Sequence, residues 1–498
     1  MNQRLISKSR IFLLAATCFV LLVSNKANSQ QKPECLKIGT NFGGFNYYTC
    51  DWPLKNVFKF ASDWGTYNAD NTGDYDNVVK RAMTWDADGY PTKIPQYVGS
   101  YDKGYPIGVK VINKDQAVRS LFFRGSCPDF PRSVGPQTTA ATGLYTVSWE
   151  GEGDIFFKNP NNGTYFHVLG SGSTGVTITN TLITSNNAPG VHTCSLYVPE
   201  NLSTNDGIGL NLVRSIEGSH VRNIKVIMPG FSLADDAENP WHPAFLSYIK
   251  PFYSLRFMAA MGANNTTASV DMLWSMRKTK NYFSYGVGGE IVGNSMPYEM
   301  IADLCNRLNV HAWVNILCHW DQDHILKFAE LLKNELKPGL DVYVEFGNEA
   351  TWNSAAGFNT FFCLLDEGIQ TGETSSQVMA RKEKFAWKTF RKVFGPDSLR
   401  IKRVLAGQYA NPDIVGQRMR ILTPNDYDYI SCTWYFGAGK NSQKIIDQVK
   451  NNTATTASVG ALILDDITSG NWINSGMKGH VDLAKSVGKK VICYEGGT

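Results

Sequence analysis

The sequence predicts an α/β protein whose main body is a (β/α)8 barrel of the TIM type, and two patterns carry this prediction. After Pro229-Gly230, short apolar runs alternate with segments of helix length, which is typical of a parallel sheet built from βα units. Before that point, residues 101–230 contain short β-rich runs between turn residues, which predicts an all-β sandwich. We therefore expect a β-sandwich placed after the first βα unit of the barrel.

The first βα unit is assigned to residues 30–100. The run "LKIGTNFGGF" (36–45) predicts its strand, and "PLKNVFKFASDW" (53–64) predicts its helix. Pro53 lies near the first turn of that helix, where the missing N–H is tolerated. In the sandwich region that follows, runs such as "GLYTVSWEG", "HTCSLYVPE" and "NIKVIMPG" alternate apolar and polar residues, as half-buried strands do.

The barrel resumes over residues 231–498 with six further strands. They are predicted at "YSLRFM", "VHAWVNIL", "DVYVEFGNE", "RVLAGQ", "DYISCTWYF" and "KVICYEGG". A long helix is predicted over 375–394, where apolar residues recur at helical spacing until Gly395-Pro396. Seven strands are one fewer than a closed barrel needs. We therefore expect the barrel to lack its last strand, with a gap between the strands at 36–45 and 489–495, and the chain to be part of a longer protein.

Residues 1–29 have the pattern of a secretory signal peptide. A charged segment with Arg4, Lys8 and Arg10 precedes a short apolar stretch and small residues at the expected cleavage position. The apolar stretch is too short for an ordinary membrane span, so we expect a soluble protein that is secreted or periplasmic. Some of the remaining cysteines should form disulfides there; proximity in the sequence suggests the pairs Cys35–Cys50 and Cys127–Cys194.

Composition narrows the class of partner. The formal net charge is +4 without long basic runs, which argues against a nucleic acid. Aromatic residues make up 12% of the chain, and aromatic faces stack on sugar rings. Tryptophans that could provide such platforms, if they are not core residues, are Trp241, Trp274, Trp313, Trp320, Trp352 and Trp434. We expect a carbohydrate partner and no cofactor.

Polar side chains collect at the ends of the predicted strands, where the functional residues of a barrel gather. They are Arg256, His319, Asn348, Glu349, Gln408, Tyr435 and Glu495. Two carboxyl groups at the mouth of a barrel suit glycoside hydrolysis, since one can protonate the leaving oxygen while the other attacks the sugar or activates water. Glu349 and Glu495 are the predicted catalytic pair. Glu345 is expected instead to be a structural ion-pair partner inside the barrel.

The runs "EFGNEATWN" and "CYEGG" resemble the acid/base and nucleophile strands of the clan A retaining glycoside hydrolases. The resemblance covers roughly half of the chain, residues 253–498. It implies that Glu349 is the acid/base, that Glu495 is the nucleophile and that Asn348 binds the sugar 2-hydroxyl. It further implies that Tyr435 hydrogen-bonds the nucleophile, that Arg256 keeps the nucleophile ionised and that His319 binds the sugar.

We also expect Gln408, Trp352 and Trp434 to contact the substrate. The resulting prediction is a secreted glycosidase that cleaves a β-linked poly- or oligosaccharide with retention of configuration.

Two other functions remain open on the sequence alone. A carbohydrate-binding or matrix protein could use the same scaffold without catalysis. A metal-dependent hydrolase could use "HWDQDH", because His319, Asp321, Asp323 and His324 carry imidazole and carboxylate ligands. The same segment also fits a polar loop that begins a helix, where aspartates are favoured.

Overall fold

The computed structural model describes residues 37–49, 51–68, 83–94, 99–101, 110–112, 116–124, 140–170, 173–186, 190–200, 202, 206–264, 273–286, 295–349, 358–435, 439–469 and 476–497. Packing divides the chain into two units. The first comprises residues up to 43, 251–275 and 301–498, and the second comprises 44–250 and 276–300. These limits differ from the predicted domains 30–100, 101–230 and 231–498, since residues 44–100 and 276–300 pack with the β-rich unit.

The first unit contains a seven-stranded sheet. In hydrogen-bonding order its strands are β1 (Thr40–Asn41), β14 (Ser254–Arg256), β15 (His311–Ile316), β16 (Val342–Phe346), β17 (Ile401–Ala406), β18 (Tyr429–Tyr435) and β19 (Lys490–Gly497). All neighbouring pairs are parallel. The spatial order is therefore the chain order, each of the seven predicted strands is found, and β1 and β19 form the two edges of the sheet.

The sheet curls strongly. Four strands separate β14 from β19, and in a flat sheet with a spacing of about 4.8 Å those two strands would lie roughly 24 Å apart. Yet Arg256 of β14 lies 3.8 Å from Glu495 of β19. The interior is filled by a cluster of side chains from β15, β16, β17 and β19, namely Trp313, Tyr343, Val404, Ala406 and Tyr494. The sheet is thus barrel-like, in agreement with the predicted fold class.

Along the chain, the helices lie between strands. In chain order they are α1 (Leu233–Glu238), α2 (Pro243–Ile249), α3 (Glu299–Leu308), α4 (Gln322–Glu335), α5 (Phe358–Thr371), α6 (Ser375–Phe394), α7 (Asp413–Met419), α8 (Ser442–Lys450), α9 (Thr456–Ser469) and α10 (Lys478–Ser486). The predicted helix over 375–394 is confirmed as α6. Thr374 and Gln377 cap its first turn reciprocally, and Gly395, with φ of 55°, ends it.

The second unit contains two larger antiparallel sheets and a short two-stranded one. The six-stranded sheet has the order β2 (Gly65–Asn68), β5 (Gln116–Phe122), β12 (Ile208–Ser215), β7 (Gly153–Lys158), β10 (Leu182–Ser185) and β9 (Val176–Thr179). The four-stranded sheet has the order β13 (Arg222–Ile227), β6 (Gly143–Glu150), β11 (His192–Val198) and β8 (His167–Leu169). Strands β3 (Gly99–Tyr101) and β4 (Lys110–Ile112) pair with each other.

Two local predictions for this unit need correction. The helix predicted over 53–64 is only a single 3-10 turn, Val57–Phe60, because the chain straightens after it to enter β2. Strand β12 is not among the predicted strands, although Ile208, Leu210 and Leu212 alternate along it with Gly209 and Asn211. That asparagine is nevertheless buried, because its side chain accepts a hydrogen bond from Tyr67 and donates one to the carbonyl of Gly209.

The predicted disulfides are not found where the structure describes the chain. Cys194 is a buried free thiol, so its predicted pairing with Cys127 is wrong. Cys35, Cys50 and residues 1–29 lie outside the described residues. A disulfide that the sequence did not suggest joins Cys318, after β15, to Cys363 of α5. No helix within the described ranges combines the length and the apolar character that crossing a bilayer requires.

Candidate active site

The candidate site lies where the parallel strands end. Arg256 is the last residue of β14, Asn348 and Glu349 follow β16, Tyr435 ends β18 and Glu495 lies near the end of β19. Parallel strands bring their carboxyl ends to one edge of a sheet, and the curl of this sheet turns that edge into a ring. Side chains separated by more than 200 residues therefore meet.

Arg256 is the centre of the site. It is only 3% exposed, and its guanidinium forms two hydrogen bonds with Glu345. Nε donates to Oε2 and Nη2 donates to Oε1, each at 2.9 Å. Nη2 also donates to Oδ1 of Asn348 at 2.7 Å. On its third nitrogen, Nη1 lies 3.8 Å from Oε2 of Glu495. One cation thus links β14 to the strand-end residues of β16 and β19.

Glu345 is fully buried beneath this arginine. Its Oε2 accepts a further hydrogen bond of 2.7 Å from the indole Nε1 of Trp313. A buried carboxylate requires such partners, because isolated charge in the interior is very unfavourable. The prediction that Glu345 is an ion-pair partner inside the barrel is confirmed.

The turn after β16 sets the direction of the next two side chains. Asn315 of β15 donates from Nδ2 to the carbonyl of Gly347 at 2.7 Å and so ties the turn to the neighbouring strand. Because Oδ1 of Asn348 accepts from Arg256, its Nδ2 faces the other way and donates to Asn264 at 2.9 Å. Glu349 adopts a φ of 46°, in the left-handed region that larger side chains rarely occupy.

A β-bulge directs Glu495. Along β18 and β19, Cys432 pairs with Cys493, but the next residue of β18, Thr433, pairs with Glu495. Tyr494 is the extra residue, and an extra residue changes which face the following side chain takes. Both Tyr494 and Glu495 therefore meet Arg256: its guanidinium lies 4.9 Å from the centre of the Tyr494 ring and 3.8 Å from the Glu495 carboxylate.

The two predicted catalytic carboxyls differ in environment. Burial raises the pKa of Glu349 above its usual value, and the negative charge of Glu495 raises it further. The charge of Arg256 lowers that pKa and the charge of Glu345 raises it, so the net direction is upward. Glu495 has Arg256 at its side and accepts a hydrogen bond from Tyr435. Burial, followed by that hydrogen bond, raises the pKa of the Tyr435 hydroxyl, which therefore remains a donor.

The remaining residues predicted from the sequence lie in or after the neighbouring strands. His319 follows β15 and Gln408 follows β17, whereas Trp434 lies within β18 beside Tyr435. Their role in binding substrate stays a prediction. Trp352 lies outside the described residues.

Sequence reasoning missed several residues that build the site. Tyr494 is an example, although its place in a strand that enters the barrel could have suggested an inward-facing side chain. Asn264 gave no signal, because it lies in a turn eight residues after β14 and meets Asn348 only through the tertiary structure. Three of the tryptophans considered as sugar platforms, Trp241, Trp313 and Trp320, are buried core residues instead.

The segment considered for metal binding has other roles in the structure. The side chain of Asp321 caps α4 by accepting from the backbone N–H of His324 at 2.7 Å. Asp323 forms an ion pair with Lys327 one turn later, and the His324 ring stacks on Trp320. Within the described ranges, no group of three or more metal-ligating side chains is found. The geometry corresponds to the polar start of a helix.

Comparison with protein-family models and with curated proteins finds no match. The solved structures that the chain resembles are glycoside hydrolases, at low identity. An arabinose-bound GH51 α-L-arabinofuranosidase aligns at 10% identity and a TM-score of 0.35, covering 84% of this chain and 65% of that one. The CBM22-1–GH10 modules of a Clostridium thermocellum endo-1,4-β-D-xylanase, complexed with xylohexaose, align at 8% identity and a TM-score of 0.31, covering 90% and 81%.

Proposed function

We propose that this protein is a secreted glycoside hydrolase that cleaves a β-linked poly- or oligosaccharide by a retaining double displacement. Glu349 is the acid/base and Glu495 is the nucleophile. The other residues of the site bind the sugar or support the two carboxyls. They are Asn348, Arg256, His319, Tyr435, Gln408, Trp352 and Trp434. The proposed reaction uses side chains of the protein and requires no cofactor.

The observation that carries the proposal is the unequal environment of two carboxyls at one end of a barrel-like sheet. Glu349 is held towards its protonated form by burial and by the charge of Glu495. Glu495 faces a cation and a hydroxyl donor. Two neighbouring carboxyls that lie in different environments are typical of sites where one acts as acid and the other as nucleophile.

The reaction follows from those two states. In the first step the Glu495 carboxylate attacks the anomeric carbon while Glu349 gives its proton to the departing glycosidic oxygen. A glycosyl ester on Glu495 results. In the second step Glu349, now ionised, removes a proton from water, the water attacks the anomeric carbon, and Glu495 leaves as a carboxylate. Both groups return to their starting protonation states.

A kinetic comparison of three variants tests the assignment. We expect Glu495→Ala to lose activity on all of a panel of 4-nitrophenyl glycosides, since no nucleophile remains. Glu349→Ala should retain activity on 2,4-dinitrophenyl glycosides, which need little protonation, and lose it on natural β-glucans and xylans. Added azide should restore turnover in this variant and give a β-glycosyl azide. Glu330→Ala, an exposed residue of α4, is the matched control and should behave as wild type.

The stereochemistry and the covalent step can be observed directly. Proton NMR during the first minutes of hydrolysis should show the β-anomer as the initial product. A 2-deoxy-2-fluoro glycoside should label Glu495 covalently. After cleavage at Lys490, the labelled peptide should begin at Val491. Release of the α-anomer first, or binding of glycans without turnover by the wild-type chain, would contradict the proposal.

Export is part of the same proposal. A signal peptide over residues 1–29 implies that mature protein begins at Gln30. N-terminal sequencing of protein recovered from outside the cytoplasm should find that residue. Retention of Met1 in the recovered protein would argue against it.

A further inference from the structure

We propose that Glu345 is a positioning residue of the site: it neutralises Arg256, fixes two of its three guanidinium nitrogens, and thereby leaves the third facing Glu495. This inference rests on the proposed function for its catalytic meaning. It goes beyond that function because it gives an activity-related role to a residue that touches neither of the two reacting carboxyls through a hydrogen bond in the described structure.

The geometry around Glu345 excludes direct participation in the reaction. The residue is 0% exposed, and both of its carboxylate oxygens are occupied: Oε1 by Nη2 of Arg256, and Oε2 by Nε of Arg256 and by the indole of Trp313. The double hydrogen bond fixes the plane of the guanidinium. Glu345 can therefore act on the site only by holding Arg256 and by its own charge.

The same geometry leaves one nitrogen of Arg256 uncommitted within the protein. Nη1 is buried and has no hydrogen-bond partner among the described residues, yet it lies 3.8 Å from Oε2 of Glu495. At that distance it attracts the carboxylate without a direct hydrogen bond. Such an approach leaves the Glu495 oxygen available for attack.

The charges around Glu349 explain why an arginine here needs a partner. The groups that act on it are Glu495 on β19, Arg256 on β14 and Glu345 on β16. Its own charge in turn acts on the hydroxyls of Tyr435 and Tyr494. An unpaired guanidinium at this position would lower the pKa of Glu349, since a nearby opposite charge favours the ionised form of a carboxyl. Glu345 offsets that effect.

The groups that face Glu345 itself come from four elements. Arg256 on β14 and Trp313 on β15 bind it, and Tyr494 on β19 and Glu383 on α6 sense its charge. Of these, Arg256 is the cation hydrogen-bonded to it in the described structure. The pair Glu345–Arg256 is therefore the unit that the experiments must change.

The first test is a titration of carboxyl groups that does not depend on turnover. In full-length protein labelled with 13C at the glutamate side-chain carboxyl, the Glu349 resonance is identified by its loss in Glu349→Gln. We expect Glu345→Gln to lower the pKa of Glu349 by about one unit or more. The conservative variant Glu345→Asp, which retains the charge, should recover part of that shift. An unchanged pKa in a folded Glu345→Gln protein would overturn the proposal.

A double variant decides the matter if Glu345→Gln does not fold. Removing a buried pair together is tolerated far better than removing one member. In Arg256→Met/Glu345→Gln the two opposite influences disappear together, so the pKa of Glu349 should stay within about half a unit of wild type. If Glu345 only fills space, the double variant should behave as if it had lost the arginine alone. The pKa of Glu349 should then rise by about one unit or more.

The control is Glu383→Gln, which removes an equally buried, arginine-paired carboxyl from α6 and should leave the Glu349 resonance unchanged.

Kinetics separate failure of this inference from failure of the proposed function. If wild type hydrolyses 4-nitrophenyl glycosides, Glu345→Gln should move the basic limb of the kcat/KM profile to lower pH and reduce the rate at pH 7 by about tenfold, because one unit of pKa is a tenfold change in protonation. If wild type hydrolyses none of them, the proposed function is wrong. The titration still tells whether Glu345 controls the charge at Glu349.

Discussion

Among the described residues of the barrel unit, two arginine–glutamate pairs are buried, and they are used differently. Arg256–Glu345 lies among the ends of the strands, and Arg418–Glu383 joins α7 to α6 with both side chains 0% exposed. Arg418 donates from its other nitrogens to the carbonyls of Ala406 and Ile414, so it stabilises the main chain there. At Arg256, Nη2 binds both Glu345 and Asn348, and only Nη1, outside the ion pair, faces Glu495.

The difference teaches that burial and pairing do not by themselves mark a functional residue. Both pairs are inaccessible, and both glutamates would be strongly unfavourable without their arginines. What distinguishes the site is the direction of the nitrogen atoms that the ion pair does not use. At Arg418 these atoms, Nε and Nη2, meet main-chain carbonyls, whereas at Arg256 the corresponding atom, Nη1, faces a second carboxylate.

The largest effect should come from removing each arginine. Arg256→Met and Arg418→Met each leave a buried glutamate uncompensated, which typically costs about 3–5 kcal/mol of unfolding free energy. Only Arg256→Met should also reduce kcat of the folded enzyme, by about 10²-fold or more, because it removes a charge placed at the nucleophile. Urea denaturation and kcat on an activated glycoside measure the two effects. Equal losses of kcat in the two variants would abolish the distinction between the pairs.

The second effect is the pH dependence contributed by Glu383. Burial raises the pKa of Glu383 from 4.5 to about 7, against the opposing influence of Arg418. Between pH 4.5 and 7 the folded state then binds more protons at this group than the unfolded state. Stability must therefore fall as pH rises through that window. Across it we expect wild type to lose about 2–3 kcal/mol relative to Glu383→Gln, at up to about 1.4 kcal/mol per pH unit.

Denaturation at pH 5 and pH 8 checks this sign. Glu330→Gln, at an exposed position of α4, should follow the wild-type dependence. A wild type that gains stability relative to Glu383→Gln as the pH rises would mean that the ion pair with Arg418 dominates over burial.

The third effect compares two indoles that donate to β16 from opposite sides. Trp313 donates to the Glu345 carboxylate at 2.7 Å, and Trp387 of α6 donates to the carbonyl of Val344 at 3.0 Å. Hydrogen bonds to charged groups contribute about 1.5–3 kcal/mol and neutral ones about 0.5–1.5 kcal/mol. Trp313→Phe should therefore destabilise the chain more than Trp387→Phe, by about 1 kcal/mol, in thermal or urea unfolding. A reversed order would show that Glu345 does not depend on the indole.

The smallest effect concerns the backbone at Glu349. A non-glycine residue in the left-handed region costs on the order of 1 kcal/mol. Glu349→Gly should therefore be more stable than Glu349→Ala by about that amount. The same pair of substitutions at Glu330, inside α4, should give the opposite sign, because glycine weakens a helix. If both sites favour alanine, Glu349 is not strained in the folded protein.

The strand ends show how much of the fold and site can be predicted from the sequence. The runs at β15, β16, β18 and β19 are strongly apolar, and each is followed or closed by polar residues, so strand identity and the chemical character of the ends could be predicted. So could the helix over 375–394, because its apolar period, its cap and its terminal glycine agree. The predicted helix over 53–64 is wrong, because the 3-10 turn found there packs against strands β5 and β13 of two different sheets.

By itself, the sequence determined the alternation of strands and helices, and it determined which residue types stand at the strand ends, because both are local properties of the chain. Which of those residues meet was decided only by the tertiary structure. The curl of the sheet brings β14 to β19, the bulge at Tyr494 turns Glu495 towards Arg256, and a turn places Asn264 against Asn348. None of these contacts has a sequence period, since each depends on register and curvature summed over several strands.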